Sequence, residues 1–423
     1  MIEIKTKSEF FDDDTKRLEV DTLAIYETLT EIQKEIKSHK DKALRFFTEK
    51  FDHVKLSNVI VTKEEINDAK KVVSKDFIEA IKIAKENITT FHQNQLPFNW
   101  KEDLENGITY GMQYSAIDKA GLYVPGGRAL YPSTVLMNAI PAKLAGVEQL
   151  IITTPPQKDS SIAPEILVAA DLCEVDLIVK AGGAQAIFAL AYGTESVPKV
   201  DKIVGPGNMY VDQAKQMVYG LCDIDKPAGP SEVCVYLEDE SYAKFAAAEL
   251  LAQLEHDPDA SAVAVATHKK ILKAIQEECN KQLKKLKRKE IILESAKNSA
   301  LITVKSRNEA ISILNDIASE HLVLMIDDAE SFREKIKHAG AIFCGPYTPV
   351  ALGDYIAGPN HVLPTGKAAR FSSPLSVMDF MKFSTHLTYQ KENLQDIKKA
   401  TQTLTTIEQL DAHYESINQR LAD

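Results

Sequence analysis

The sequence predicts an α/β fold with two incomplete Rossmann-like parallel-sheet domains and helical N-terminal and C-terminal extensions. Three observations support this. The 423 residues indicate two to three cores, at about 150 residues per domain. In the middle of the chain, two series of short apolar runs alternate with helical patterns. Residues 21–95 and those beyond about 375 show helical periodicity without such runs.

The N-terminal part of the chain is predicted to be helical over residues 21–95. Asp21 and Thr22 can cap the first helix. A second helix starts near Thr62, which stands three residues before Glu65, the spacing of a capping box. The apolar residues at helical spacing in the first helix are Leu23, Ile25, Tyr26, Leu29, Ile32 and Ile36.

The two series in the middle of the chain have the strand–helix–strand rhythm of parallel sheets with right-handed crossovers. The first series has strands at 150–154, 175–179 and 202–205, and helices at 163–172, from 184 and from 208. The second has strands at 232–237, 262–267, 300–304, 322–326 and 341–344, and helices at 242–255, to about 286, 308–319 and 329–338. The C-terminal helical stripe consists of Leu404, Ile407, Leu410, Tyr414 and Ile417.

Composition excludes several classes of protein. Hydrophobic residues make up 44% and charged residues 26%, which rules out a disordered or fibrous chain. The 50 Lys and Arg against 61 Asp and Glu give a net charge of −11, so we expect no nucleic acid and no membrane partner. No apolar stretch reaches the roughly 20 residues of a membrane-spanning helix, and the first residues lack a signal-peptide pattern.

The cysteines are scattered along the chain, and none forms a C-x-x-C pair. Their odd number of five argues against a disulfide framework or a thiolate metal site and is typical of a reducing compartment. We therefore expect a cytoplasmic protein. The five are Cys173, Cys222, Cys234, Cys279 and Cys344.

Four glycine-rich turns lie next to predicted strands or helices, at 121–127, 182–185, 205–208 and 228–231. Glycine at a strand-to-helix turn lets the backbone approach a phosphate, and the helix N-terminus favours its negative charge. Each turn alone is also common for structural reasons. Because the chain contains no G-x-G-x-x-G motif, the four turns together predict a nucleotide-binding edge with a dinucleotide bound in a non-standard way.

Potential metal ligands are concentrated in three places. Gln253 and His256 close the predicted helix at 242–255 and project from one face at i, i+3. Asp354 lies in a loop between glycines, and His413 lies on the C-terminal helix. An amide oxygen, two imidazoles and a carboxylate suit zinc, with manganese or cobalt as alternatives. The competing interpretation is that His256 only caps a helix end.

Glu320 and His321 stand at the junction of a predicted helix and strand, where α/β enzymes often expose side chains. Adjacent carboxyl and imidazole groups can supply two separate proton-transfer groups. Without further context, ordinary polar residues at a helix end are an equally good interpretation. His361 follows a glycine- and proline-containing loop and adds a histidine close to Asp354 in the sequence.

Taken together, these segments closely resemble histidinol dehydrogenase, from about residue 20 to the C-terminus. Any one segment can arise by chance, but their order and spacing make the resemblance specific. The stretches that carry it are 121–127, 182–187, 205–211, 227–233, 250–257, 320–322, 353–365 and 410–413.

The resemblance implies an NAD-dependent oxidoreductase that converts L-histidinol to L-histidine, the final steps of histidine biosynthesis. The alcohol is oxidised through a bound aldehyde in two successive hydride transfers. The resemblance makes His321 the base for the hydroxyl proton and Glu320 the group that activates the water attacking the aldehyde. This assignment agrees with the chemistry, because an alcohol-to-acid oxidation needs two bases with different pKa ranges.

The resemblance also implies a homodimer with shared active sites and one zinc per subunit. The zinc would be held by Gln253, His256 and Asp354 of one subunit and His413 of the other. The NAD-contacting residues would be Tyr123, Gln185 and Asn208. The residues that bind the substrate L-histidinol would be Ser231, His361 and Glu408, together with His321 and the four metal ligands.

We predict that the chain is divided into four parts. Residues 1–20 form an N-terminal segment. The first Rossmann-like domain is discontinuous, 21–122 with 232–374, begins with helices and contains the metal and catalytic residues. The second, 123–231, contains the NAD-contacting turns, and 375–423 form a helical tail for dimerisation.

Three alternatives stay open at this point. A dehydrogenase on the same scaffold would oxidise another small alcohol, although a substrate without an amine would not need Glu408. The other two are a metal-dependent hydrolase and a non-catalytic nucleotide-binding scaffold. One departure from the family is Ser319, where many relatives have proline, and it predicts a looser loop before Glu320 and His321.

Overall fold

The structure is a computed structural model that describes residues 2–18, 23–126, 130–226 and 229–422. The predicted cap at Asp21 and Thr22 lies outside the described residues, as do parts of the turns at 121–127 and 228–231. In the described part, helices dominate the first quarter of the chain, and strands and helices alternate after it.

The strands of the described residues are short. In chain order they are β1 (Glu3–Lys5), β2 (Trp100–Asp103), β3 (Thr109–Ala116), β4 (Lys119–Tyr123), β5 (Gln149–Thr154), β6 (Leu177–Lys180), β7 (Lys202–Val204), β8 (Asp223–Ile224), β9 (Glu232–Leu237), β10 (Ser261–Ala266), β11 (Ala300–Thr303), β12 (His321–Met325), β13 (Ala341–Cys344) and β14 (Met381–Thr388).

The longest helix, α2, contains a break at Lys40, whose backbone is not helical (φ 50°, ψ −127°), so two helical segments meet there. In chain order the helices are α1 (Lys7–Leu18), α2 (Leu23–Asp52), α3 (Lys63–Val72), α4 (Lys75–Gln93), α5 (Pro132–Ala145), α6 (Pro164–Leu172), α7 (Gly183–Tyr192), α8 (Met209–Val218), α9 (Ala243–Leu254), α10 (Lys269–Leu283), α11 (Lys289–Ser295), α12 (Arg307–Ile317), α13 (Ala329–Arg333), α14 (Val350–Tyr355), α15 (Lys391–Ile407) and α16 (Asp411–Leu421).

Two of the sheets are parallel throughout, which confirms the predicted fold class. The six-stranded sheet has the order β1-β11-β10-β9-β12-β13. The five-stranded sheet has the order β6-β5-β4-β7-β8. β1 joins the edge of the six-stranded sheet, a pairing that the sequence pattern did not predict. The predicted domain boundaries stay a prediction.

Helices cover both faces of each parallel sheet, as strands that are apolar on both faces require. Leu150 and Ile152 face a core with α4, α5 and α6, while Ile151 faces a core with α2, α7 and α8, because successive side chains point to opposite faces. In the six-stranded sheet, Val233 packs towards α9 and α10, and Cys234 packs towards α1 and α12. Each sheet is therefore the middle layer of three.

The third sheet is antiparallel, with the order β14-β3-β2. The prediction that the chain is helical beyond about residue 375 is right for α15 and α16 but wrong for Met381–Thr388, which pairs with β3 along its whole length. The partner strand lies far earlier in the chain, so periodicity within the tail carries no information about this pairing.

Local signals place several helix starts as predicted. The Thr62 hydroxyl accepts from the Glu65 amide (3.2 Å), and the Glu65 carboxylate accepts from the Thr62 amide (2.8 Å), which confirms the capping box at α3. Asn208 Oδ1 accepts from the amides of Tyr210 and Val211, both at 3.1 Å, and so caps α8.

Candidate active site

The backbone of one residue, Glu232, is hydrogen-bonded to both predicted bases. Glu232 and His321 begin the adjacent parallel strands β9 and β12, and Glu320 precedes His321. The Glu232 amide donates to Glu320 Oε2 (2.8 Å), and the Glu232 carbonyl accepts from His321 Nδ1 (3.0 Å). Because a carbonyl can only accept, the proton of the neutral imidazole lies on Nδ1, and Nε2 carries the free lone pair.

Both bases are buried, with 6% of Glu320 and 5% of His321 exposed. Burial raises the pKa of Glu320 well above its ordinary value and lowers the pKa of His321 to about 4. His321 Nε2 has no hydrogen-bond partner among the described residues, and it lies 3.9 Å from Asp354 Oδ1. The imidazole is therefore a neutral base with an open acceptor beside a carboxylate.

Ser319 and Glu320, which precede His321, are held in place by several hydrogen bonds. The buried Ser319 hydroxyl donates to the His321 carbonyl (2.9 Å), and the Gly340 amide donates to the Ser319 carbonyl (3.0 Å). The Ala341 amide donates to the Glu320 carbonyl (2.8 Å). The Ser319 hydroxyl supplies a hydrogen bond that proline lacks, and the looser loop stays a prediction.

Two of the predicted metal ligands lie near His321: Asp354, and His256, which is close enough to contribute to the lowered pKa of His321. Gln253, near the end of α9, is buried, and its amide nitrogen has no hydrogen-bond partner among the described residues. His256 follows the end of the same helix and is exposed. Asp354 lies in α14, and burial together with the Glu249 carboxyl raises its pKa to about 7.

Within the described ranges, no three His, Cys, Asp or Glu side chains are arranged to hold a metal. The predicted ligand set differs from such a group in two ways. One of its members is the amide of Gln253, and another, His413, lies in the C-terminal tail. One chain alone therefore does not assemble the four ligands.

His361 connects the two parallel-sheet regions. Its Nδ1 donates to the Asp354 carbonyl (2.8 Å), and its Nε2 accepts from the Thr134 hydroxyl of α5 (3.2 Å). Burial lowers the pKa of His361 to about 4, so the ring is neutral in this arrangement. The adjacent Asn360 donates to the Met137 carbonyl of α5 (2.6 Å), which fixes the segment that contains His361.

The predicted NAD contacts lie at the carboxyl edge of the five-stranded sheet. Tyr123 ends β4, and its hydroxyl accepts from the Gly183 amide at the start of α7 (3.1 Å). Burial raises the pKa of this hydroxyl to about 12. Gln185, in the first turn of α7, is 1% exposed, and its amide nitrogen has no described partner.

A buried ion pair forms hydrogen bonds with the backbone of Gly205, in the turn before Asn208. The Gly205 amide donates to Asp225 Oδ2 (2.8 Å), and the Gly205 carbonyl accepts from Lys215 Nζ (3.0 Å). Lys215 and Asp225 are in direct contact with each other. Gly205 has φ +114°, and a Cβ there would lie 2.1 Å from the Tyr123 carbonyl oxygen, so the turn requires glycine.

Two of the remaining predicted residues, both on the C-terminal tail, are not brought into this cluster within the described residues. Glu408, after α15, and His413, in the first turn of α16, have exposed side chains. Within the described residues, neither forms a hydrogen bond or ion pair with Gln253, His256 or Asp354. Ser231 is half-buried, and its carbonyl accepts from the Ser261 amide (3.0 Å).

Comparisons with known proteins converge on one family. The description of the matching family is histidinol dehydrogenase, and its profile covers residues 15–421. The chain belongs to the histidinol dehydrogenase family. It is 50% identical to the histidinol dehydrogenase of Clostridium acetobutylicum over 397 residues, 94% of this chain and 92% of that protein. The same enzyme from Methanocaldococcus jannaschii is 47% identical over 398 residues, with coverages of 94% and 92%.

A solved member of the family has the same fold. The crystal structure of histidinol dehydrogenase from Elizabethkingia anophelis superposes with a TM-score of 0.95 at 36% identity, covering 99% of this chain and 98% of that one. The predicted resemblance is therefore confirmed, and with it the prediction of an oxidoreductase of histidine biosynthesis. None of the described helices combines the length and apolar character needed to cross a lipid bilayer.

Three contributors to the site escaped the sequence-based prediction. Glu232 acts through its backbone N–H and C=O, which no side-chain pattern reveals. Thr134 lies in a helix that is buried almost all round, so nothing marks it. Glu249, whose Oε2 accepts from the Val350 amide at the start of α14 (3.0 Å), did leave a signal. It is a carboxyl group on a largely apolar helix, one turn before Gln253.

Proposed function

We propose that this chain oxidises L-histidinol to L-histidine through a bound aldehyde, with NAD as the hydride acceptor and zinc in the site. The observation that supports this most strongly is the pair of bases hydrogen-bonded to the backbone of one residue, Glu232. An alcohol-to-acid oxidation removes two hydrides and adds one water, and it needs a proton acceptor in each half. Glu320 and His321 supply two acceptors that have different chemistry and are fixed in position by Glu232.

In the first half of the reaction, His321 takes the proton of the substrate hydroxyl at Nε2. The Nδ1–H donated to the Glu232 carbonyl fixes both the tautomer and the orientation of the ring. Because Nε2 has no other described hydrogen-bond partner, the substrate hydroxyl can donate to it without displacing a protein group. Loss of the hydroxyl proton then accompanies transfer of the carbinol hydride to NAD.

In the second half, Glu320 takes a proton from the water that adds to the aldehyde carbon. Its Oε2 is held by the Glu232 amide, so the carboxyl group keeps its place beside the imidazole. The resulting hydrate has an O–H and a C–H on the same carbon. Its hydride goes to a second NAD and its O–H proton is released, so that the C=O of the acid forms. The product is the carboxylate of L-histidine.

The donor set next to the bases fits zinc. Gln253 is buried and offers an amide oxygen, and Asp354 lies in a half-buried position beside His321. Together with His256 and the partner subunit's His413, these groups form a cysteine-free N/O set. When bound, zinc offers coordination positions to the substrate's imidazole and amine and thereby orients it.

The carboxyl edge of the five-stranded sheet fits NAD. Tyr123, Gln185 and Asn208 lie at or next to the starts of α7 and α8, where helix dipoles favour a pyrophosphate. The buried, unpartnered amide of Gln185 is an additional group available to the dinucleotide. Domain 123–231 is accordingly proposed as the NAD-contacting unit and 21–122 with 232–374 as the catalytic unit.

The tail supports a homodimer with shared active sites. Leu404 and Ile407 are 61% and 72% exposed, although they lie on an apolar stripe that needs a partner surface. Glu408 and His413 are exposed on the same tail. Placed in a second subunit, His413 completes the zinc ligands, and Glu408 pairs with the substrate amine. Ser231 and His361 complete substrate binding.

The cysteines support a reducing, cytoplasmic setting. All five are free thiols, and four of them are buried. Burial raises the pKa of Cys173, Cys222 and Cys279 to about 12, so these thiols are poor nucleophiles.

One assay tests the reaction and the metal together. NADH absorbance is followed after addition of L-histidinol, before and after treatment with a strong chelator and again after addition of zinc. We expect two NADH per histidinol, loss of turnover with the chelator, and recovery with zinc. Absence of NADH formation would reject the reaction, and full activity in a demonstrably metal-free preparation would reject the zinc proposal.

A mixed dimer tests the shared site. One inactive subunit carries Glu320→Gln with His321→Ala, and the other carries His413→Ala. In the heterodimer one site takes its bases from the second chain and its tail from the first, so part of the activity should return. A verified heterodimer without any activity would show that each subunit completes its own site.

A further inference from the structure

Four buried polar atoms near the carboxyl edge of the five-stranded sheet have no hydrogen-bond partner among the described residues. They are Asp52 Oδ2, Asn138 Oδ1, Thr153 Oγ1 and Gln185 Nε2. Buried polar atoms in proteins almost always have partners, so a group of unsatisfied ones at one edge indicates a ligand that supplies them. Asp52 is the charged member of these four, and the proposed reaction does not use it.

The packing of α2 against α7 explains why Asp52 lies at this edge. Lys40 Nζ donates to the carbonyl of Gly193, at the C-terminal end of α7 (3.0 Å). From there to Asp52 the second segment of α2 spans roughly 17 Å, against about 15 Å for the ten residues of α7. The two segments run in opposite directions and pack together, so Asp52 arrives at the N-terminus of α7.

Contacts on either side of Asp52 agree with this position. Shortly after it, the Val59 carbonyl accepts from the Lys180 amide at the end of β6 (2.7 Å). The Asp52 carboxyl is also close enough to Tyr123 to contribute to the raised pKa of that hydroxyl, which itself accepts from Gly183. Asp52, Tyr123 and the start of α7 therefore surround one place.

The electrostatic environment of Asp52 leaves its charge poorly compensated. Burial raises its pKa to about 6, and the His53 imidazole offsets only part of this effect. A buried carboxyl oxygen without a donor is destabilising. A ligand hydroxyl that donates to it removes this cost.

We propose that Asp52 accepts hydrogen bonds from ribose hydroxyls of NAD at the N-terminus of α7. The inference rests on the proposed function, because it takes the dinucleotide to lie at Tyr123 and Gln185. A ribose offers two neighbouring O–H donors, and a carboxylate offers two acceptor oxygens. The neighbouring helix N-terminus suits the pyrophosphate to which the ribose is attached.

Standard dinucleotide-binding folds use an acidic residue to bind the ribose. In the present chain Asp52 takes this role. In a standard unit the acid on the ribose follows the G-x-G-x-x-G turn by about 20 residues. The present chain has no such motif. Here the acid comes from α2, which packs against the sheet from outside the strand–helix series. If the adenosine ribose is the one bound, Asp52 also repels the 2′-phosphate of NADP.

The test is the Asp52→Asn substitution in the full-length enzyme, with steady-state kinetics for NAD and for NADP at saturating L-histidinol. The amide keeps the shape but removes the charge and one acceptor. We expect KM for NAD to rise about ten-fold or more, with kcat nearly unchanged. Asp52→Ser serves as a second variant, and thermal unfolding checks that both are folded.

Asp41→Asn is the matched control. Asp41 is buried on the same helix, but its carboxylate accepts from the Ser196 amide (3.3 Å) and hydroxyl (2.5 Å), beyond the other end of α7. Its loss should lower the midpoint of thermal unfolding and leave KM for NAD unchanged. A change in KM that is confined to Asp52 variants separates cofactor binding from general loss of stability.

The two cofactors distinguish which ribose is bound. A rise in KM for NAD combined with a smaller preference for NAD over NADP identifies the adenosine 2′-hydroxyl. An equal rise for both cofactors identifies the nicotinamide ribose. An unchanged KM in folded Asp52 variants overturns the inference while the proposed function stands, whereas a wild-type enzyme that does not reduce NAD overturns the proposed function first.

Discussion

The two parallel sheets have their proposed functional groups at opposite edges. In the five-stranded sheet, Tyr123 ends β4 and Gln185 follows the turn after β6, so the proposed NAD site lies at the carboxyl edge, as is usual for open α/β sheets. In the six-stranded sheet, Glu232 and His321 are the first residues of β9 and β12, so the proposed catalytic site lies at the amino edge. His361 joins the two through Thr134 and Asp354.

At the carboxyl edge of the six-stranded sheet, one arginine forms ion pairs with two carboxylates. Arg307 donates to both oxygens of Glu238 (2.7 and 2.6 Å) and both oxygens of Asp328 (2.7 and 3.0 Å). This arginine holds the pKa of both carboxyl groups below the ordinary range. The edge rule therefore locates the proposed cofactor half but not the proposed catalytic half, which depends on the backbone of one residue at a strand start.

The largest expected effects are at the amino edge. His321→Gln should slow oxidation of L-histidinol by about 10²–10⁴-fold, because the hydroxyl loses its base, and should affect oxidation of the aldehyde less. Glu320→Gln should show the reverse preference, because the aldehyde half needs an activated water. Single-turnover NADH formation from each substrate measures both. Equal damage to both halves by both variants would reject this division of labour.

At the carboxyl edge of the five-stranded sheet, Gly205→Ala should destabilise the fold by about 2–5 kcal/mol, because φ is positive and the added Cβ meets the Tyr123 carbonyl oxygen at 2.1 Å. Gly107→Ala is the control, since Gly107 also has positive φ (+81°) but nothing within 4 Å of the added Cβ. It should cost about 1 kcal/mol. Urea unfolding compares the two, and similar losses would mean that backbone strain, not the close approach, makes this turn specific.

His92, in α4, should make the stability of the fold depend on pH. This ring donates from Nδ1 to Gln95 (2.6 Å), accepts from Asn360 at Nε2 (3.4 Å), and has its pKa lowered by burial. The unfolded chain therefore binds more protons in acid, and stability falls as pH drops below about 6.5, by at most about 1.4 kcal/mol per pH unit from this group.

His92→Gln should flatten that dependence in urea unfolding series between pH 7.5 and about pH 5. His386→Gln, which changes an exposed histidine on β14, should leave the dependence as in the wild type. A wild-type slope in the His92→Gln variant would show that the protonation of this ring is not linked to folding.

The smallest effect is expected at the carboxyl edge of the six-stranded sheet. Arg307→Gln removes the two ion pairs of a side chain that is half exposed, so the free energy of unfolding should fall by about 1 kcal/mol or less. The NAD-dependent activity should not change. A loss of activity in a folded Arg307→Gln enzyme would show that this edge also takes part in the reaction. The proposed functional groups of the six-stranded sheet would then not be confined to its amino edge.

The sequence by itself determined the elements and most of the side chains of the proposed chemistry. The capping box of Thr62 and Glu65 and the alternating apolar runs are local patterns, and the structure has a helix or strand at each of them. The pair Glu320 and His321 is adjacent in the chain, and Gln253 and His256 are one helical turn apart. Their proximity therefore needed no tertiary information.

Only the tertiary structure decided how these groups are oriented and what supports them. The backbone N–H and C=O of Glu232 contact Glu320 and His321 because β9 and β12 pair, although the residues are 88 and 89 positions apart in the chain. The same holds for β14 against β3 and for Asp52 at the start of α7, since each contact is made by packing between distant segments. A periodic pattern reports which face of an element is buried, but the partner that buries it is fixed only when the chain folds.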